Sequence, residues 1–367
     1  LIPTVYKLDP NLKASYTINY NLSVEQQLPR GLIATLSFIH VDGVHLLRLR
    51  DINAPFPGTE QRPNPAEGSI YDYESTGRST FDGFFFGFNR RISQRLTFFA
   101  NYGLSWAHSD TGGLPANNYD LHSEWGRSSS DRRHNFSTIV NLNLPHGFRL
   151  NPVVNAFSGA PFNITTGVDE NGDFQLTDRP AGINRNADLP ASLYSLIPDR
   201  LICQPGTTPF RSAGGTACNT SGNPQMPILI PQMQLRDFLA QYYPNGVKAE
   251  GPGNFNVNMY LSKTIGFGKR NSGGQLGQGG GGRGGRGGFG GGGGGRGGLG
   301  GGPGGGGPFG GGGENARVNV TFTLGVTNLF NHLNYGQDGG TLGAAFFGIP
   351  SSANPPRQFD FMVRFGF

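Results

Sequence analysis

The stretch Ser15-Tyr16-Thr17-Ile18-Asn19-Tyr20-Asn21-Leu22-Ser23-Val24-Glu25 decides the fold class. Every second residue from Tyr16 to Val24 is apolar, and Ser, Thr, Asn and Glu fill the places between. Side chains on a strand point alternately to opposite faces, so this segment is a strand with one apolar and one polar face. The same period recurs after the turn Leu28-Pro29-Arg30-Gly31, at Leu32, Ala34, Leu36 and Phe38. It returns at Phe84, Phe86 and Phe88, and again at Leu96, Phe98, Ala100, Tyr102, Leu104 and Trp106. Further along it runs through Phe136, Val140, Leu142 and Leu144, then Phe148, Leu150, Val154 and Ala156. The last three sets are Phe255, Val257, Met259 and Leu261; Val318, Val320, Phe322, Leu324 and Val326; and Phe359, Phe361, Val363, Phe365 and Phe367.

Two architectures produce such strands. A soluble sandwich turns the apolar face into a core, whereas a membrane barrel turns it to lipid and the polar face to a wet lumen. Strand length favours the barrel, because segments of about 10–14 residues suit a tilted bilayer crossing. The opposed face is Asn, Ser, Thr and Gly with few Lys or Glu, which fits a lumen better than an open surface. The connections alternate in length: 29–31, 92–95 and 145–147 are short, and 51–70, 112–130, 168–252 and 335–356 are long. Short periplasmic turns and long extracellular loops are the habit of outer-membrane barrels. The expected fold is therefore an all-β, transmembrane antiparallel barrel.

Composition agrees. Charged residues are 14% of the 367 and aromatics 11%, with 28 Phe, which argues against both a helix-rich soluble enzyme and charge-driven disorder. No apolar run reaches the length of about 18 residues that a transmembrane helix needs. Of 62 glycines, 30 fall within residues 273–313, and three of the charges behind the net +5 (Arg283, Arg286, Arg296) lie in that tract. Residues 267–314 read as a glycine-rich, disordered periplasmic linker between strands 254–266 and 316–334. An RGG-type nucleic-acid-binding segment is the competing reading, but three arginines neutralise few phosphates.

Nine strands is an odd number, while bacterial single-chain barrels have an even number and an unclosed edge is costly in hydrocarbon. The chain opens on Leu1-Ile2-Pro3 without Met or a signal peptide. Both features lead to the expectation that residues 1–367 are part of a larger barrel, with 1–13 belonging to an extracellular loop.

Several stretches carry a family likeness. Val326-Thr327-Asn328-Leu329-Phe330-Asn331 resembles the motif near the end of TonB-dependent outer-membrane receptors, and Phe359, Phe361, Val363, Phe365 and Phe367 resemble the C-terminal signal read by the barrel-assembly machinery. Asp51-Ile52-Asn53-Ala54-Pro55, Glu74-Ser75-Thr76-Gly77, Asp131-Arg132-Arg133-His134-Asn135-Phe136 and Asp178-Arg179-Pro180 are similar to stretches of the Oar-like receptors, which carry a carboxypeptidase-regulatory-like domain. The resemblance implies a barrel of about 22 strands, of which this chain would supply the last nine. Ligand recognition and TonB-dependent uptake would follow once it is joined to a plug and further strands. A passive porin or a surface adhesion barrel is the alternative. The implied partners are outer-membrane lipid, the assembly machinery, the TonB complex through the plug, and an unidentified extracellular ligand, with no nucleic acid. The implied location is the outer membrane of a Gram-negative-type bacterium.

Candidate sites are few. Asp169, Asn171, Asp173 and Asp178 have the oxygen spacing of half a calcium loop, but Phe174 and Pro180 stand where such a loop needs Gly and a bidentate carboxylate, so a solvated Asn-Gly turn competes and no cofactor is required. Cys203 and Cys218 invite a disulfide within the 168–252 loop, worth about 3 kcal/mol on the loop-entropy model. Asp131, Arg132, Arg133 and His134 form a dense charge cluster at the outer end of a strand, where a ligand could meet it. The histidines (His40, His45, His108, His122, His134, His146, His332) show neither metal spacing nor a nucleophile motif, so no catalysed reaction is expected.

Overall fold

The computed structural model describes residues 3–203, 232–269, 316–344 and 346–366. Its strands are β1 (Val5–Leu8), β2 (Tyr16–Leu28), β3 (Leu32–Asp51), β4 (Ile70–Arg91), β5 (Leu96–Ser109), β6 (Gly126–Arg127), β7 (His134–Asn143), β8 (Phe148–Phe157), β9 (Leu201–Cys203), β10 (Gln232–Gln234), β11 (Asn254–Lys269), β12 (Ala316–Thr327) and β13 (Gln358–Gly366). One helix, α1 (Leu235–Tyr242), lies between β10 and β11. The nine long strands pair in chain order, each antiparallel to the next, from β2 at one edge to β13 at the other. Among the described residues β2 and β13 are paired on one side only, so the sheet is open.

Register shows why the two faces differ. One row across seven strands reads Val24, Leu36, Phe86, Tyr102, Phe136, Ala156, Phe255. The adjacent row reads Glu25, Thr35, Gly87, Asn101, Ser137, Asn155, Asn256. On the interior strands the apolar side is the open one: Phe86 is 37% exposed and Phe255 40%, while the polar face holds Asn151 at 3% and Ser262 at 6%. A water-soluble protein does the reverse, since a large continuous apolar surface is unfavourable in water. Hydrocarbon is the solvent that this inside-out pattern fits.

Local chemistry sets the short turns. Leu28-Pro29-Arg30-Gly31-Leu32 and Leu144-Pro145-His146-Gly147-Phe148 share one design, in which proline fixes the first turn residue and the next two take positive φ. Gly31 and Gly147 (φ 70° and 76°) occupy the second of these positions, where a Cβ would be strained. At 92–95 the Ser93 hydroxyl accepts the Arg95 and Leu96 amides, both at 3.1 Å, and closes the β4–β5 hairpin.

The register also yields the strand tilt. The row through the first hairpin end (Leu28, Leu32) continues through Arg90 and Phe98 to Val140. It passes two residues above Ile92 and four above Leu144, where the second and third hairpins turn. Those hairpins stand two and four strand spacings away, so the shift is one residue per strand. With about 3.4 Å per residue and about 4.8 Å between strands, the tilt is about 35°, within the range of outer-membrane barrels.

The long loops depart from expectation. The 168–252 region is read from sequence as an extended excursion, yet its described part is folded. Phe162, Ile164, Leu189, Ile197, Leu235, Phe238, Leu239 and Val247 form a hydrophobic core, completed by Leu342 and Phe347 from the connection between β12 and β13. The apolar residues concerned lack a period, so nothing in their spacing announces a core. The strand anticipated over 316–334 stops at Thr327, because Asn328 takes a left-handed φ of 53°. Residues 270–315, which contain most of the glycine-rich linker, and Phe367 lie outside the described residues, as do Cys218 and the side chain of Cys203, and with them the anticipated disulfide.

Candidate functional site

The extracellular strand ends carry polar side chains that sequence spacing alone does not connect. Asp51, at the end of β3, accepts the amides of Asn53 (3.0 Å) and Ile70 (2.9 Å), and its own amide donates to Asn118 Oδ1 (2.8 Å). Asn53 donates its amide hydrogens to the carbonyls of Asn64, Glu67 and Gly68 and accepts the Asn64 amide. The Asp51-to-Pro55 motif thus serves as an internal template for the 52–69 loop. Glu74, from the second motif, accepts two bonds from Arg50 (2.8 and 3.2 Å) and one from Thr76 (2.9 Å). Its neighbour Gly77 sits where a Cβ would lie 2.8 Å from the Leu46 carbonyl oxygen, beside the irregularity in the β3–β4 register.

A second knot centres on a residue that no sequence motif marks. Glu124 is fully buried between Arg179 and Arg185, pairs with both guanidiniums, and accepts the Ala116 amide at 2.8 Å. Burial acts to raise its carboxyl, but the two guanidiniums and the amide outweigh it and hold the group below the ordinary range. Arg179 belongs to the Asp178-Arg179-Pro180 stretch, so that motif joins the 110–133 and 158–253 loops.

Residues 169–178 form a compact turn. Asp169 accepts the amides of Gly172 (2.7 Å), Asp173 (3.1 Å) and Phe174 (2.8 Å), and Phe174 adopts a φ of 64°. Asp178 accepts the Glu170 amide (2.6 Å) and the Asn171 side chain (2.8 Å), while Asp173 accepts Gln175 N and Asn118 Nδ2. Backbone and amide donors therefore engage the oxygens that the calcium pattern would offer. Among the described residues no group of three or more His, Cys, Asp or Glu is arranged to hold a metal ion. Burial, with the charges of Asp178 and Asp169 nearby, pushes Asp173 up to about 6, and burial raises Asp178 and Glu170 as well.

The Asp131–His134 cluster divides among different tasks. Asp131 is buried and holds the Ala107 amide (3.0 Å) and Arg127 Nε (2.7 Å). Arg132 lies over the Phe157 ring and donates to the Ser158 carbonyl, Arg133 lies over Trp106, and His134 Nδ1 is 2.7 Å from the Tyr102 hydroxyl. The Asn328–Asn331 motif closes the top of β12. Asn328 donates to the His332 and Pro355 carbonyls, and Asn331 Oδ1 accepts the Arg357 amide at the approach to β13. The terminal alternation from Phe359 to Phe365 is the outward face of β13.

Open to a ligand is a cleft of about 500 Å³ between the loops, lined by Ser109, Thr111, Leu114, Arg127, Ser128, Asn163, Thr177, Arg185, Asn186 and Gln337 among others. Its two arginines are already paired, Arg127 with Asp131 and Arg185 with Glu124. The chemistry on offer is thus mostly hydroxyl and carboxamide: donors and acceptors for a polar ligand of low charge.

Residues 1–275 match the family model described as outer membrane beta barrel domain. The chain belongs to that family. The barrel lies in the outer membrane and crosses it with strands, and no helix among the described residues is long and apolar enough to cross. No curated protein matches it. Similar solved structures include the ferric enterobactin receptor PfeA of Pseudomonas aeruginosa (R480A mutant) in complex with enterobactin, at 12% identity and a TM-score of 0.44, covering 96% of this chain and 32% of that one. The outer membrane transporter YddB from Escherichia coli is 8% identical with a TM-score of 0.43, covering 96% and 33%. The FrpB iron transporter from Neisseria meningitidis is 10% identical with a TM-score of 0.41, covering 98% and 32%. The barrel spans about a third of the length of these three chains. Likenesses at this level say nothing of its ligand.

Proposed function

We propose that this barrel is the C-terminal part of a TonB-dependent outer-membrane receptor of the Oar-like type. In this reading the folded extracellular loops recognise a ligand, and the plug and remaining strands of the longer protein complete gated uptake. The observation that carries the proposal is the folded cap: buried polar knots and a hydrophobic core join four loops around a cleft of hydroxyl and carboxamide groups. A passive pore has no need of loops tied together in this way. The role is binding and transport with no reaction catalysed, and neither calcium nor nucleic acid takes part. The strand-end motif at Asn328–Asn331 and the terminal Phe alternation support the family assignment within outer-membrane barrels.

Single-channel recording on the full-length protein in planar bilayers tests this reading. A plugged receptor is silent as purified and conducts only after a denaturant such as urea displaces the plug. Steady conductance without denaturant would sink the receptor reading and favour the porin.

A further inference from the structure

The cleft between the loops is built from side chains that are half spent. Thr177 donates its hydroxyl hydrogen to the Pro115 carbonyl (3.0 Å), Asn186 an amide hydrogen to the Arg127 carbonyl (2.6 Å), and Gln337 one to the Pro161 carbonyl (3.2 Å). Thr111 repeats the design. Ser109 gives its single hydroxyl hydrogen to the Arg78 carbonyl (3.2 Å), so across the 2.8 Å contact between the two hydroxyls it is Thr111 that donates. Each side chain is thereby anchored through a hydrogen, and its oxygen is left over. Among the described residues no donor meets Thr111 Oγ1, Thr177 Oγ1, Asn186 Oδ1 or Gln337 Oε1. Asn186 is only 6% exposed and takes a positive φ of 54°, so the scaffold sets its direction.

These oxygens carry two lone pairs each. Acceptor capacity therefore exceeds the side-chain hydrogens still on offer, those of Asn163 Nδ2 and the second N–H of Asn186 and of Gln337. An anion needs the reverse balance. The two guanidiniums that could supply it are engaged, Arg185 by Glu124 and the Gly112 carbonyl, Arg127 by Asp131 and Glu250. The same pairing occupies the carboxylates, so a cation entering the cleft would be buried without a counter-charge. Apolar side chains of a peptide find only Leu114 and Pro161 in a lining that is otherwise glycine or polar. The ligand that matches is neutral and brings many hydrogens of its own, each on an atom that can also accept. Polyhydroxyl compounds have that character.

We propose that this cleft binds a neutral carbohydrate, whose hydroxyls donate to Thr111, Thr177, Asn186 and Gln337 and accept from Asn163. The assignment rests on the reading of the cap as a ligand-recognition surface. A volume of about 500 Å³ falls within the range of about 300–1,000 Å³ that small-molecule sites occupy. Ser109 and Arg127 place the cleft on the ends of β5 and β6, and Thr177 and Gln337 arrive from the two connections that share the hydrophobic core. Because the anchoring bonds exist before a ligand arrives, little side-chain ordering is left to oppose binding.

The test is calorimetric titration of the full-length protein in detergent, with heat-modifiable migration to check that every variant is folded. The neutral probes are cellotriose, galactotriose and tri-N-acetylchitotriose. Trigalacturonate and triglucosamine are their anionic and cationic counterparts, and trialanine is the peptide. At least one neutral trisaccharide is expected to bind one-to-one, and more tightly than either charged sugar or the peptide. The double change Thr177→Val with Gln337→Leu removes two acceptors and weakens that binding by about tenfold, the scale of two net hydrogen bonds. Ser129→Trp fills the cleft from its exposed rim and abolishes binding, whereas Gln241→Trp, on the exposed side of α1, leaves it unchanged. Tighter binding of a charged sugar or of trialanine, full affinity in a folded Ser129→Trp or double variant, or binding of none of the neutral sugars would each overturn the assignment. A protein that is silent in planar bilayers yet binds none of these sugars loses this assignment and keeps the receptor reading. Steady conductance sinks the receptor reading itself, whichever probe binds.

Discussion

Replacing Glu124 with Gln is the sharpest perturbation of the cap. The carboxylate is the shared counter-charge of Arg179 and Arg185, and all three side chains are at least nine-tenths buried. Glutamine keeps the shape and one carbonyl oxygen for the Ala116 amide but leaves two guanidiniums buried without a charge partner. Breaking a buried pair from one side costs about 3–5 kcal/mol, and the retained oxygen puts this case near the lower end. At about 1.4 kcal/mol per factor of ten, the cap should open at least about a hundredfold more often. Hydrogen exchange of the full-length protein in detergent would read this locally. Amides tied to the knot, such as Ala116 and the Arg185 amide bonded to the Ser123 carbonyl, lose protection, while amides in β7 and β11 keep theirs. A triple variant, Glu124→Leu with Arg179→Met and Arg185→Met, should restore most of the protection, because no charge is left unpaired. Unchanged exchange in Glu124→Gln would refute the claim that this knot holds the loops together. Equal loss in the strands would show that it is instead a staple of the whole fold.

Asp173 should make the cap pH-sensitive. Its folded value of about 6 lies above the ordinary 3.8, so the folded cap is penalised above about pH 6 and the penalty is relieved as pH falls from about 6 toward 3.8. Protection near Asn118 and Gln175, corrected for intrinsic exchange, should rise from about pH 7.5 to about pH 5, and Asp173→Asn should flatten most of that rise; a wild type indifferent to pH would contradict it. Phe361→Arg puts a charge on the outward face of β13 at a cost of about 2–4 kcal/mol at the bilayer midplane. It should lower the heat-modifiable fraction, whereas Met362→Arg on the opposite face is tolerated, and equal effects from the pair would reverse the assignment of faces. Gly31→Val places a β-branched side chain at φ 70° in open space, so its cost of about 1–2 kcal/mol is conformational. The urea midpoint of the folded barrel should fall for Gly31→Val and much less for Gly31→Asn.

The barrel was legible and the cap was not, for one physical reason. Strand faces are written with period two, and each of the nine alternating runs, from Tyr16–Val24 to Phe359–Phe365, appears as a strand with the expected neighbours. Proline and glycine marked the turns at 29–31 and 145–147, where their backbone preferences act within a few residues. The cap instead rests on contacts between distant segments. Phe347 packs against residues from the 158–253 connection, and Glu124 meets Arg179 and Arg185 across another loop boundary. Nothing local distinguishes Glu124 from a solvated acid. The Asp131–His134 cluster was visible as a charge run, but a run cannot say that Asp131 turns inward to Arg127 while His134 stays at the rim. One signal was available: in a chain with so few charges, each acid near a strand end has reason to be paired.

The low charge content has a spatial explanation. A transmembrane strand cannot place ionised groups against lipid cheaply, and this lumen face uses Asn, Ser and Thr in their place. At the extracellular ends ionised groups pair and hold loops to strands, as Arg48 with Asp110, Arg127 with Asp131, and Glu124 with Arg179 and Arg185 do. The hydrophobic core follows the same division. Apolar side chains of the sheet face hydrocarbon, so packing against a protein interior contributes little to their burial; the core of the water-facing kind lies in the cap, around Leu189, Leu239 and Phe347. Two solvents thus stabilise the molecule by two patterns. Leu342 and Phe347 arrive from the connection before β13 and the rest of that core from the connection between β8 and β11, so the cap ties together two connections that the pair β11 and β12 separates in the sheet. The strand order of the sheet thereby sets which loops can meet over its extracellular end.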